Sequence, residues 1–271
     1  MVNLNPCDWA SGEVEVTGGR LAYHRTGGSG PALVLSHGLT DNGLCWNRLA
    51  EALASDFDVI MLDARGHGAS SPPGARGISP ETPARDLAEA IRGLGLSKVI
   101  AMGHSMGARA TAACAARHPD LVRAVILEDP PFVPPLDARA ASQRLERFRG
   151  QVAQLREMTD AELMALVRKQ SPLWEAQDLP AWIASKRQVD PGALPILPTP
   201  WQEDIRRLRA PTLVIHGDVA LGSMVSPEAA LEARRLNPQL RVLRIAGAGH
   251  NVRREQFAEV LLAVRSFLAE S

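Results

Sequence analysis

The stretch Gly103-His104-Ser105-Met106-Gly107 constrains the fold of this chain more than any other. Val99-Ile100-Ala101-Met102 leads into it as a β-branched, apolar run, and the alanine-rich pattern Ala108-Arg109-Ala110-Thr111-Ala112-Ala113 leads out. A Gly-x-Ser-x-Gly turn between a strand and a helix presents its serine at the tip of a sharp, strained bend. Glycines on either side remove side chains that would collide with neighbouring backbone. The first N–H groups of the departing helix have no partner within it, so they point with the positive end of the helix dipole toward any anion formed there. Ser105 is therefore a candidate nucleophile, and the Met106 N–H a candidate donor to an oxyanion.

Around this turn, strand and helix patterns alternate. Residues 13–26 alternate apolar and polar positions about Gly18-Gly19, which predicts an antiparallel hairpin at a sheet edge. Ala32-Leu33-Val34-Leu35-Ser36 is a continuous apolar run, the kind that a sheet covered on both faces requires, and Phe57 to Asp63 form the next strand pattern. The first ends in His37-Gly38-Leu39, where a glycine permits close backbone approach and the Leu39 N–H becomes a second candidate oxyanion donor. The second ends in Asp63-Ala64-Arg65-Gly66-His67-Gly68-Ala69-Ser70, which has no zinc-like ligand spacing and reads as a folded connection. Helical patterns follow at Trp46–Ala54 and Pro80–Gly93.

Val122 to Glu128 is the next strand pattern, and it delivers Glu128 and Asp129 at its C-terminal end before Pro130-Pro131 stop the ladder. Between Phe132 and Pro200 strand runs vanish and helical periodicity, punctuated by proline, takes over. That shift predicts a helical cap over 132–200, inserted into a core made of 1–131 and 201–271. Trp174 and Trp182 in the cap, and Trp46 after the Leu39 turn, are candidates for lining a substrate cavity; each also suits a place in a local core. Strand patterns return at Thr212 to Asp218 and Leu240 to Ile245, the latter followed by Gly247-Ala248-Gly249-His250 and a helix over 254–268. Arg253 and Arg254, close after His250, have the charge to bind an acidic group, but the simpler reading is of solvated residues at the start of that helix. The whole predicts an α/β fold, a doubly wound, mainly parallel sheet. Ser105, Asp129 or Asp218, and His250 then meet at the C-terminal edge of the strands, where open α/β sheets place their sites.

Composition removes several classes of partner. Thirty basic and thirty acidic residues leave no net charge, so nothing draws the chain to nucleic acid or to an anionic membrane. The N-terminal residues carry no signal-peptide pattern, and no apolar run reaches the roughly 20 residues of a membrane span. Cys7, Cys45 and Cys114 lie far apart, with neither disulfide-framework nor metal-ligand spacing, which fits a reducing cytoplasm.

His37-Gly38-Leu39, Asp63 to Ser70, Gly103-His104-Ser105-Met106-Gly107 and Gly247-Ala248-Gly249-His250 together resemble four signature stretches of the α/β-hydrolase superfamily. The order serine, acid, histidine is the one that superfamily uses. The resemblance implies a serine esterase or lactonase acting on a small to medium apolar ester, with no metal or cofactor, Ser105 as nucleophile and His250 as base. C–C bond hydrolases and lyases of the same superfamily are the alternative, and a hydrolase-like ligand receptor is the alternative from another class. The acid is the point of departure. Most members carry it a few residues past the seventh strand, yet Val219 to Pro227 holds no carboxylate. Zearalenone-type lactone hydrolases and some haloalkane dehalogenases carry it after the sixth strand, 24 residues past the nucleophile, which here is Asp129. Asp129 is the first choice, Asp218 the second and Glu128 the third. Glu128 and Asp129 are neighbours on a strand, so the pleat sends them to opposite faces.

Overall fold

A computed structural model describes residues 9–74, 77–134, 136–194 and 200–270. Cys7 and the N-terminal residues read above for a signal peptide lie outside them. Eight strands form one sheet in the order β1-β2-β4-β3-β5-β6-β7-β8. They are β1 (Ala10–Val16), β2 (Gly19–Arg25), β3 (Ala32–Ser36), β4 (Asp58–Leu62), β5 (Val99–His104), β6 (Val122–Glu128), β7 (Thr212–His216) and β8 (Arg241–Arg244). The hairpin β1–β2 is antiparallel and joins β4 antiparallel; every other pairing is parallel.

The central strands are apolar on both faces because helices cover both. Leu33, Leu35, Val59, Met61, Ile100, Met102 and Ile126 face one core, shared with α1 (Asn47–Leu53) and α10 (Phe257–Ala269). Their alternates Val34, Ile60, Ala101, Val125 and Leu127 face the other, with α2 (Thr82–Gly93), α3 (Met106–Arg117), α7 (Trp201–Arg207) and α8 (Pro227–Leu236). The two-residue period of a strand thus sorts one continuous apolar run into two cores.

Three helices stand between β6 and α7: α4 (Ala138–Glu157), α5 (Asp160–Gln170) and α6 (Leu179–Arg187). Their starts follow local capping chemistry. Asp137 accepts from the Ala140 N–H at 2.8 Å, and Thr159 and Glu162 form a reciprocal capping box. The expected helix over 254–268 is instead two, α9 (Val252–Glu255) and α10, because Gln256 leaves the helical backbone and the Glu255 carboxylate turns back to the Gly249 N–H. No helix among the described residues is long and apolar enough to cross a membrane.

Candidate active site

Ser105 sits at φ 51°, ψ −114°, between the end of β5 and the start of α3. A side chain avoids positive φ unless the surroundings enforce it. Here they do: a Cβ on Gly103 would strike the Gly107 carbonyl, and one on Gly107 would strike the Ser36 carbonyl. Strand, turn and helix therefore fit only with glycine at both places. The Ser105 N–H is used internally, donating to the Glu128 carbonyl at 2.9 Å, which fastens the turn to the end of β6.

His250 reaches the serine from the loop after β8. Its Nε2 lies 3.0 Å from Ser105 Oγ and its Nδ1 lies 2.6 Å from Asp129 Oδ2. Asp129 is fully buried, also at positive φ (39°), one residue past β6. Its carboxylate takes the Ser223 hydroxyl at 2.6 Å and the Met224 N–H at 2.9 Å, with the Val225 N–H at 3.4 Å. Those three donors lie in the stretch after β7 that lacks an acid of its own. It supplies hydrogen bonds to a carboxylate arriving from the neighbouring strand. An ionised carboxylate with several donors is oriented as well as stabilised.

The other two carboxylates have different tasks. Asp218 accepts from the Gly247 N–H at 2.8 Å and pairs with the exposed Arg244 at 3.1 Å, tying the loop after β7 to the loop that carries His250. Glu128 points away from His250 and holds Arg253 through its N–H at 2.8 Å and its guanidinium at 2.9 Å.

Leu39 and Met106 line one small cavity with Ser105. Neither backbone N–H donates to any group among the described residues. The carbonyls of the Leu39 turn, by contrast, are each held by a buried side chain. His37 accepts the Ala64 N–H on Nε2, so its Nδ1–H donates to the Gly38 carbonyl at 2.7 Å. That carbonyl belongs to the same planar peptide as the Leu39 N–H, so the bond sets the direction of the free donor and polarises it. His67 Nε2 lies 2.6 Å from the Leu39 carbonyl, and Lys186 Nζ donates to the Thr40 carbonyl at 2.7 Å. Burial pushes the His37 pKa down to about 3 and lowers those of His67 and His104. His104 braces the other side: its Nε2 lies 2.9 Å from the backbone carbonyl of His250.

Behind the Leu39 turn is a buried charge cluster that sequence reading missed. Asp41 binds Lys186 at 3.3 Å and Arg254 at 2.9 Å, with Arg253 at 3.7 Å. Burial alone would raise the Asp41 pKa, but Arg254, Lys186 and Arg253 hold it well below the usual carboxylate range. Arg253 and Arg254 are thus not solvated helix-start residues; they are 3% and 2% exposed because each finds a carboxylate inside.

The three tryptophans expected near substrate belong to this cluster. Arg253 lies over the Trp46 ring at 3.8 Å, Arg254 over Trp174 at 4.5 Å and Lys186 over Trp182 at 4.5 Å. None of the three lines the cavity at Ser105. Trp46 is fully buried among Leu33, Leu35 and Leu49, whereas Trp174 packs with Val167 and Leu179 in the helical insertion. An aromatic face offered to a desolvated cation holds these rings in place. The cavity wall is made instead by Pro131, Met224, Arg144 and Leu194, the last two from the insertion.

A hydroxyl, an imidazole and a buried carboxylate in this chain of contacts can move a proton from oxygen to nitrogen while two N–H groups receive negative charge. Comparison with known proteins agrees with the fold. The family model described as alpha/beta hydrolase fold matches residues 31–253. The chain is 32% identical over 264 residues to 2-(acetamidomethylene)succinate hydrolase of Mesorhizobium japonicum, covering 92% of each chain. It is 29% identical over 250 residues to N-formylmaleamate deformylase of Pseudomonas putida, covering 90% of each. Among solved structures, E-2-(acetamidomethylene)succinate hydrolase superposes with a TM-score of 0.77 at 27% identity, covering 96% of this chain and 99% of that one. A malate-bound thermophilic esterase from Thermogutta terrifontis also reaches 0.77, at 25% identity, over 96% and 98%. By family match, sheet order and the turn that carries Ser105, this chain belongs to the α/β-hydrolase fold family.

Proposed function

We propose that this chain is a serine hydrolase that cleaves a carboxylic ester or lactone through an acyl-enzyme, without a metal or organic cofactor. The observation that carries the reading is the unbroken chain Asp129–His250–Ser105, with contacts of 2.6 and 3.0 Å, ending beside two unused N–H groups. His250 takes the Ser105 proton as Oγ attacks the acyl carbon. Asp129 fixes the tautomer in which Nδ1 carries the proton and Nε2 is free to accept, and it stabilises the imidazolium. The N–H groups of Leu39 and Met106 receive the oxyanion, each worth about 2.7–4 kcal/mol by analogy with other such donors. His250 returns the proton to the leaving oxygen, then activates the water that releases the acid.

The cavity at Ser105 measures about 30 Å³, room for a water or two. Arg144 and Leu194 of the insertion form part of its wall, and its size suits a small acyl group. A serine nucleophile also excludes the carboxylate chemistry of a dehalogenase. Cleavage of an N-acyl bond is the second reading, favoured by the names of two relatives, one an acetamido compound hydrolase and the other an N-formyl compound deformylase. Both readings use the same acyl-enzyme.

The test is hydrolysis of a 4-nitrophenyl ester chain-length series by wild type and Ser105→Ala. Turnover of the short esters that drops to background in Ser105→Ala supports the proposal. Activity that survives the substitution, or no activity on any ester, lactone or N-acyl compound, overturns it.

A further inference from the structure

Among the described residues, Arg144 is the one charged side chain that lines the cavity at Ser105, and it comes from α4 of the insertion. Other residues facing that cavity are apolar: Leu39, Met106, Pro131, Leu194 and Met224. Arg144 is half-buried, yet among the described residues it has no hydrogen bond, no carboxylate within ion-pair distance and no aromatic face beneath it. The buried cations behind the Leu39 turn are treated differently. Lys186, Arg253 and Arg254 each have both a carboxylate and a tryptophan ring.

An unpaired guanidinium against an apolar wall gives up hydration without compensation. Arg147, one turn further along α4, adds like charge, and burial and Arg147 together lower the Arg144 pKa. A planar fork of donors in this state is matched by a carboxylate, which it binds with two parallel hydrogen bonds. We infer that Arg144 is a specificity-determining residue that binds a carboxylate on the acyl side of the substrate, a few bonds from the carbonyl that Ser105 attacks. The substrate class is then a half-ester, or the corresponding N-acyl acid, rather than a wholly apolar ester. This inference rests on the hydrolase reading above and narrows it.

The experiment compares two near-isosteric methyl esters, monomethyl succinate and methyl 4-oxopentanoate, one anionic and one neutral. The readout is the ratio of their kcat/KM values in wild type, Arg144→Met, Arg144→Lys and Arg144→Glu. Wild type favours the anionic ester. Arg144→Met lowers the ratio by about 10–100-fold, the size of a lost charge-assisted hydrogen-bond pair. Arg144→Lys restores part of it, and Arg144→Glu inverts the preference. A ratio that stays constant while both rates fall together overturns the inference, because it means that the Arg144 stem only packs. If wild type hydrolyses neither ester, the 4-nitrophenyl series decides the bond class separately, and carboxylate recognition is read from thermal stability in succinate. A rise in melting temperature that Arg144→Met and Arg144→Glu abolish supports the anion site; no rise in wild type overturns it.

Discussion

The two walls of the site are built to different standards. On the core side, the carbonyls of Gly38, Leu39 and Thr40 are each held by a buried side chain, Asp129 has four partners, and Lys186, Arg253 and Arg254 each have a carboxylate and an aromatic face. On the insertion side, one arginine faces the cavity with no partner among the described residues. The contrast separates two requirements. Reacting groups must stand within a fraction of an ångström of a productive geometry, which demands many mutually supporting bonds. A binding group is more useful when its hydrogen bonds are left for the ligand.

The largest break in that contrast is expected at Asp129. Asp129→Asn keeps the shape but places an amide where His250 needs an acceptor, and should lower kcat on a short ester by about 10³–10⁴-fold, as the wrong tautomer does in related triads. The folded fraction, followed by circular dichroism, should stay intact. Equal loss in Asp218→Asn would move the acid to β7 and undo the assignment.

Lys186 comes next, because it joins the insertion to the core wall. Lys186→Met leaves the Thr40 carbonyl with the Ser185 hydroxyl at 3.0 Å and removes one of the three cations around Asp41. Stability should fall by about 1–3 kcal/mol in urea unfolding, the cost of unsatisfied buried groups. kcat should fall roughly tenfold, while KM changes less, because the donor at Leu39 is blurred rather than removed. A Lys186→Met enzyme with unchanged kcat would mean that the core wall does not depend on the insertion.

Acid should loosen the same wall. His37, His67 and His104 have folded pKa values pushed below 6.5 by burial, that of His37 to about 3. The unfolded chain takes up protons below pH 6.5 that the folded chain refuses, so stability falls as pH drops from about 6.5 toward 3. Asp41 acts lower on the scale. Its depressed pKa contributes stability above about pH 3.8 that is lost as pH falls through its folded value. Urea unfolding between pH 7.5 and 4 checks the first effect: His37→Asn should show a shallower decline, and parallel curves would refute the account.

The smallest effect belongs to Asp218→Asn. An amide oxygen still accepts from the Gly247 N–H, and only an exposed pair with Arg244 is lost, worth about 0–1 kcal/mol. Activity within a few-fold of wild type is the expected result in the ester assay.

Much of this arrangement is readable along the chain. Gly103 and Gly107 flank Ser105 because strand, turn and helix collide with anything larger, and that collision is decided by residues a few positions apart. Strand ends, alternating apolar faces and the capping of α4 and α5 are local in the same sense, and so is the helical insertion after β6. His250 is marked in the sequence by the Gly247-Ala248-Gly249 turn that follows a strand pattern.

What only the tertiary structure decided involves partners far apart in sequence. Whether Asp129 or Asp218 meets His250 depends on which side chain reaches across neighbouring strands, and on donors from Ser223 and Met224 that no motif marks. Arg253 and Arg254 look solvated in sequence and are buried, because Glu128 and Asp41 wait more than a hundred residues away. Three tryptophans that look like substrate contacts cover cations instead, and Arg144, which carries no local signal, stands at the cavity. A backbone demand is written in its own few residues, whereas the worth of a charge depends on what the fold brings beside it.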